Sequence, residues 1–175
     1  SLMSLTGRFF FDAGCTQTTD GPFVVPAGTG VPVTQVYFCP NNNDGASYTG
    51  NLNIFSNSPS SPTILSLSGQ EAFPIMGVSP LAIDFGTTPG GLDFTISNTG
   101  TGDLTWSAAE TDPENVFSLS SAGGTILAGG PPVTVTVTFA AAGAPDTHTG
   151  SVEVTAGEPD AGGSPQTVNL TAETP

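Results

Sequence analysis

The sequence predicts an all-β chain of two tandem β-sandwich units, the first of them incomplete. Three observations carry this. Apolar residues alternate with Thr and Ser at period two, most plainly in Val133-Thr-Val135-Thr-Val137-Thr-Phe139. No long stretch repeats its apolar positions at helical period. The 23 Gly and 16 Pro punctuate the alternating runs, with Asn and Asp beside them.

In the second half the strands follow in order. Leu81-Ala-Ile83-Asp-Phe85 opens, then Leu92-Asp-Phe94-Thr-Ile96 and Leu104-Thr-Trp106. Phe117-Ser-Leu119 precedes the Val133–Phe139 run, and Val152-Glu-Val154 and Val168-Asn-Leu170 close the series. Turns at Thr87–Gly91, Gly100–Asp103, Ala122–Gly124, Gly129–Pro132 and Pro159–Gly163 separate them. Such alternation describes antiparallel strands with one face on a core. Many short strands at this spacing read as a sandwich of about 100 residues.

The first half repeats the same grammar with part missing. Val31-Pro-Val33 and Val36-Tyr-Phe38 have opposite phases, which predicts a bulge near Thr34-Gln35. Leu52-Asn-Ile54 and Leu65-Ser-Leu67 alternate regularly. Pro32-Val33-Thr34 matches Pro132-Val133-Thr134, and Thr49-Gly50 matches Thr149-Gly150, so the halves read as an internal repeat. The first copy lacks counterparts of the strands at Leu81, Leu92 and Leu104. The predicted division is a partial unit over 1–72, a linker over 73–80 punctuated by Pro74 and Pro80, and a complete unit over 81–175. A truncated sandwich leaves ladder edges uncovered.

Charge narrows the function. The chain of 175 residues carries fifteen acidic side chains against Arg8 alone, with no Lys, for a formal net charge of −14. Neutralising nucleic-acid phosphates or anionic lipid needs a cluster of Lys and Arg, so nucleic acid is excluded as a partner. No apolar run approaches the ~20 residues of a spanning helix, so membrane insertion is not expected. Ser1 is not an initiator. Ser1-Leu2 before Met3 reads either as a remnant of expression or as the edge of a piece of something longer. Cys15 and Cys39 both lie at the edge of an apolar run. A disulfide between them fits an oxidising compartment, and two free thiols are the alternative.

Few residues suggest chemistry. His148, the only His, has Asp146 nearby, but no Gly-x-Ser-x-Gly elbow accompanies it. It reads as a surface residue just before a strand. Asn41-Asn42-Asn43-Asp44-Gly45 has the composition of a calcium loop, but Pro40 would stand at its first ligand position, so it reads as a polar turn. The acidic loops Asp112–Glu114 and Glu158–Asp160 could offer calcium ligands, and solvated loops are the simpler reading. Trp106 shares a face with Leu104 and is expected in the core; Tyr37 and Tyr48 are too scattered for a sugar platform. No catalytic, cofactor-binding or metal residue is assigned, and no cofactor is implied.

The second half resembles the ASH family of immunoglobulin-like domains, named for abnormal-spindle and hydin-type proteins. The resemblance rests on Asp84-Phe85-Gly86, Ile96-Ser97-Asn98-Thr99-Gly100, Gly102-Asp103-Leu104, the Phe117 strand, Gly129-Gly130 before Val133–Phe139, and Thr149-Gly150 before Val152–Val154. It spans about 76–174 and, in part, 8–70. The Pro that usually follows the Phe of the long strand is present in Phe38-Cys39-Pro40 and absent from Phe139-Ala140-Ala141. The resemblance implies tandem immunoglobulin-like sandwiches that bind or space rather than catalyse. The expected function is a non-catalytic structural or protein-interaction module, part of a larger secreted or surface-exposed bacterial protein. The resemblance implies an unidentified protein partner. The uncovered edges of the incomplete first unit could be completed by a strand from an upstream segment or a neighbouring chain, self-association included, and a first unit that folds by itself as a smaller sandwich is the alternative. A calcium-dependent adhesive module, a cytosolic or ciliary-type scaffold and a phage structural part are the alternatives.

Overall fold

A computed structural model describes residues 2–30, 35–40, 45–140, 143–158 and 161–175. All regular structure in these residues is β, and no helix is long and apolar enough to cross a membrane. The chain divides into two compact units, Ser1–Glu71 and Ala72–Pro175.

The first unit holds β1 (Leu2–Leu5), β2 (Phe9–Phe10), β3 (Thr19–Asp20), β4 (Tyr37–Phe38), β5 (Ser47–Phe55) and β6 (Thr63–Gln70). Four strands form an antiparallel sheet in the order β3-β1-β5-β6, and β2 pairs with β4 as a separate ribbon. The register sets Met3 opposite Ile54 and Leu5 opposite Leu52, so alternate apolar residues collect on one face. Met3, Leu5, Phe9, Phe11 and Leu52 are buried there, with Phe23, Phe38 and Leu67 packed against them. Glycine lets the ribbon come close: a Cβ at Gly69 would meet the Phe38 ring at 2.9 Å. Phe38 in turn stacks on Phe9, with ring centroids 5.4 Å apart. A disulfide joins Cys15 to Cys39, Cα to Cα 6.2 Å. Arg8 Nε donates to the Cys39 carbonyl at 2.8 Å, and its guanidinium lies over the Phe10 ring. The predicted bulge at Thr34-Gln35 and the turn Asn41–Asp44 fall on or beside residues outside those described.

The second unit holds β7 (Met76–Ser79), β8 (Ala82–Asp84), β9 (Gly90–Asn98), β10 (Leu104–Thr111), β11 (Phe117–Leu119), β12 (Gly123–Ile126), β13 (Val133–Phe139), β14 (Asp146–Ala156) and β15 (Gln166–Thr174). Two sheets, β12-β10-β14-β15-β8 and β11-β13-β9-β7, enclose one core. Phe94, Ile96, Val135, Val137 and Phe139 come from the second sheet; Leu104, Trp106, Val152, Val154, Val168 and Leu170 come from the first. These are the inward positions of the period-two pattern, and Trp106 is 3% exposed among them. Phe85, Phe117 and Phe139 form an aromatic cluster at one end, with centroids 5.5–5.7 Å apart.

The structure corrects the linker expected over 73–80. Met76–Ser79 is a strand of the sandwich, pairing antiparallel with the end of β9 and burying Met76 and Val78. Upstream of it, Phe73 O accepts from Thr101 N at 2.8 Å, and Ile75 O accepts from Thr99 N at 3.0 Å. Pro80 falls between β7 and β8, which lie in different sheets. Proline there ends one strand before the chain enters the other sheet. In sequence, Pro74 and Pro80 bracket too short an alternation to read as a strand.

Candidate functional site

Sheet edges are where a β-protein exposes unpaired backbone N–H and C=O groups, and short edge strands are a common way to limit that exposure. Among the described residues this chain keeps almost all its edges short. In the second unit the edge strands are β12 with 4 residues, β8 with 3, β11 with 3 and β7 with 4. In the first unit β3 has 2 residues. The exception is β6, an edge strand of 8 residues that pairs only with β5.

Its sequence, Thr63-Ile-Leu-Ser-Leu-Ser-Gly-Gln70, contains no charge and no Pro, the residues that usually protect an edge. Pairing of Leu65 with Leu52 and of Leu67 with Gly50 puts both leucines on the core face. Ile64, Ser66 and Ser68 occupy the other face, opposite Asn53, Asn51 and Thr49. Leu67 packs on the core, but Leu65 stays 55% exposed and Ile64 58%. A shallow groove along β5 and β6 is lined by Thr6, Thr49, Gly50, Asn51, Ser66, Leu67 and Ser68. β1, β5 and β6 carry no charged residue. Of the fifteen acids only Asp12, Asp20, Asp44 and Glu71 lie in the first unit. The arrangement offers main-chain hydrogen bonds, two apolar side chains and hydroxyls to an incoming extended strand, with no carboxylate on β6 itself.

The residues singled out in the sequence fall elsewhere. His148 is not on the surface, as expected above, but 8% exposed within β14. Strand β14 begins at Asp146, paired with Thr174, so His148 shares the inward phase of Val152 and Val154. Its Nδ1 is hydrogen-bonded to Glu114 Oε2, and Nε2 lies 3.3 Å from Thr174 Oγ1. Thr174 Oγ1 donates to Ala144 O at 2.8 Å and accepts from Asp146 N at 3.0 Å. The His–Thr–Glu contact thus ties the start of β14 to the end of β15 and to the turn before β11, buried at His148 and open to water at Glu114. Nothing in the sequence pattern marked Glu114 as the partner, because the two are 34 residues apart.

The acidic loop at Asp112–Glu114 has partners within the protein. Asp112 accepts from the N–H of Glu114 and Phe117, both at 2.9 Å, and from that of Val116. Burial raises the Asp112 pKa, but the amides of Phe117, Glu114, Val116 and Asn115 outweigh it and hold the carboxyl below its ordinary range. Glu158 accepts from Thr105 N at 3.3 Å, while Pro159 and Asp160 lie outside the described residues. Among the described residues no three His, Cys, Asp or Glu side chains gather as a metal site.

No family model matches the chain, and no curated protein sequence matches it. Solved structures similar to it include the ASH/PapD-like domain 7 of human CEP192, at 18% identity and TM-score 0.45, over 57% of this chain and 84% of that one. The E. coli chaperone DraB is similar at 8% identity and TM-score 0.47, over 59% of this chain and 56% of that one. A protein of unknown function from Porphyromonas gingivalis W83 is similar at 11% identity and TM-score 0.44, over 99% of this chain and 85% of that one. On its own sheet order, the second unit of this all-β chain is an immunoglobulin-like β-sandwich, the architecture that the ASH resemblance implies.

Proposed function

We propose that this chain is a non-catalytic protein-interaction module of a larger secreted or surface-exposed protein, and that it receives an extended strand along β6. The observation that carries the reading is the contrast between β6 and the other edges: 8 uncharged residues, against 2 to 4 at each other edge of the larger sheets. An edge of this kind holds a strand through its main chain and selects it through alternate side chains. The pairing of Cys15 with Cys39 supports an oxidising compartment, where such bonds persist. The formal net charge of −14 favours solubility.

Hydrogen exchange on the intact chain tests the edge. A synthetic peptide of residues 62–71, added at rising concentration, should slow exchange of the β6 amides and leave those of β14 unchanged. Unchanged β6 exchange at saturating peptide would overturn the reading. The compartment is tested on protein isolated from its native host, where intact mass should show the two cysteines oxidised; free thiols would return the reading to a cytosolic scaffold. A hydrolytic activity lost in His148→Gln would overturn the non-catalytic assignment.

A further inference from the structure

Resting on the β6 edge as the docking surface, we propose that its occupant is β6 of a second copy of this chain, paired antiparallel about Ser66. Two identical edge strands related by a two-fold axis normal to the sheet run antiparallel, and each face continues from one copy into the other. A residue must then meet one from its own face, so odd positions meet odd and even meet even. Two such registers keep seven residues of Thr63–Gln70 paired, one centred on Ser66 and one on Leu67. Centred on Leu67, the exposed Leu65 would meet Gly69 of the other copy, which has no side chain and sits beneath its own Phe38 ring. Centred on Ser66, Leu65 meets Leu67 of the second copy twice over, and each half-exposed leucine extends the core face of its neighbour. Ile64 then stands opposite Ser68 of the second copy.

Charge favours the same occupant. Self-pairing at the β3 or β8 edge would bring the Asp20 or Asp84 carboxylates of two copies together. β1, β5 and β6 carry none, so two copies can join here with no like charges opposed. A segment rich in Lys or Arg would find no carboxylate on these three strands to pair with, and gains nothing over a neutral strand. The paired copies would form one continuous eight-stranded sheet, with both β6 edges covered.

The test combines solution mass with directed cross-linking on the full chain. Light scattering after size exclusion, across a concentration series, should show a monomer–dimer equilibrium. Ser66→Cys should cross-link to itself through a short bifunctional thiol reagent, since the native cysteines are bonded to each other. Ile64→Cys mixed with Ser68→Cys should cross-link far better than either alone. Ser66→Lys places two ammonium groups at the axis on an exposed position, and should weaken the dimer several-fold at low salt and less at high salt. Leu65→Lys, checked for a cooperative melt, should do the same. A dimer that cross-links only at other positions would overturn this pairing. A monomer throughout, whose β6 amides the residue 62–71 peptide still protects, would overturn self-pairing and leave the open edge standing. A monomer that ignores the peptide would overturn both.

Discussion

His148 Nδ1 is hydrogen-bonded to Glu114 Oε2, which ties the start of β14 to the turn between β10 and β11. The imidazole also stacks on Phe139, with centroids 5.6 Å apart. The two partners are unequal: the Glu114 side chain is 47% exposed, so water can replace its partner, whereas His148 fills core volume. His148→Ala is expected to remove about 2–3 kcal/mol from the second unit, through the cavity and the lost contact to Thr174. Glu114→Gln should cost less than about 1 kcal/mol. Denaturation followed by fluorescence of Trp106, the only Trp, measures both. Equal losses would show that the hydrogen bond, and not burial, holds this corner together.

Two carboxyls close in sequence should give acid stability opposite signs. Asp112 has its pKa lowered in the fold, so the stability it adds is present above its unfolded value, near 3.9, and is lost as pH falls through the lower folded value. Glu110 has its pKa raised, first by desolvation and then by the charge of Asp112. Its penalty on the fold is present at neutral pH and lifts as pH falls through the raised value. Oε1 of Glu110 is buried with no hydrogen-bond partner among the described residues, in keeping with that direction. Glu110→Gln should therefore stabilise the second unit at pH 7 by less than about 1 kcal/mol, and this gain should shrink as pH falls through the raised value of the native carboxyl. Asp112→Asn should cost about 1–2 kcal/mol at pH 7, through the lost charge on its backbone hydrogen bonds, and remove the share of the acid-induced fall that Asp112 contributes. Urea midpoints at a series of pH values decide both, and a Glu110→Gln loss at pH 7 would reverse the assignment.

The second unit was legible because its strands are covered on one face and wetted on the other. Val135, Val137 and Phe139 then carry their burial in the letters themselves. The pattern failed where burial depends on neighbours that it does not record. Leu92 keeps the phase of Phe94 and Ile96 yet is 42% exposed, because β7 flanks β9 only from Thr95 onward. His148 is polar, so alternation gave it no inward vote, and its partner lies in a distant turn. Met76 and Val78 were hidden by flanking prolines. The alternation at Leu65 and Leu67 was plain in sequence, but their place on an edge was not, since strand order is set by pairing partners and not by the strand alone.

The small core of the first unit makes its disulfide an important support. Only Met3, Leu5, Phe9, Phe11 and Leu52 form its fully buried apolar cluster among the described residues, and small cores are marginal without a covalent tie. Cys15 and Cys39 are 24 residues apart, and closing a loop of that length is worth about 3–4 kcal/mol on the chain-entropy view. Replacing both by Ser should lower the first unit's melting transition and leave the second unit's near its wild-type temperature. Calorimetry resolves the two. A single transition shifted as a whole would mean that the units do not melt independently.

Gly100 tests whether residues 73–75 belong to the sandwich or connect two domains loosely. A Cβ at Gly100 would collide with the Phe73 carbonyl and come within 2.5 Å of Ile75 N, and neither backbone atom can move without breaking the bonds to Thr99 and Thr101. Gly100→Ala should therefore destabilise the second unit by about 1–3 kcal/mol, as overpacking against main chain does. Gly130→Ala is the control, since its nearest neighbour is a single carbonyl at 3.0 Å in an exposed turn. Had 73–80 been a free linker, the two substitutions would cost the same, because Phe73 and Ile75 would simply swing away. A stability difference between them, read from urea midpoints, shows that the segment is held against β9.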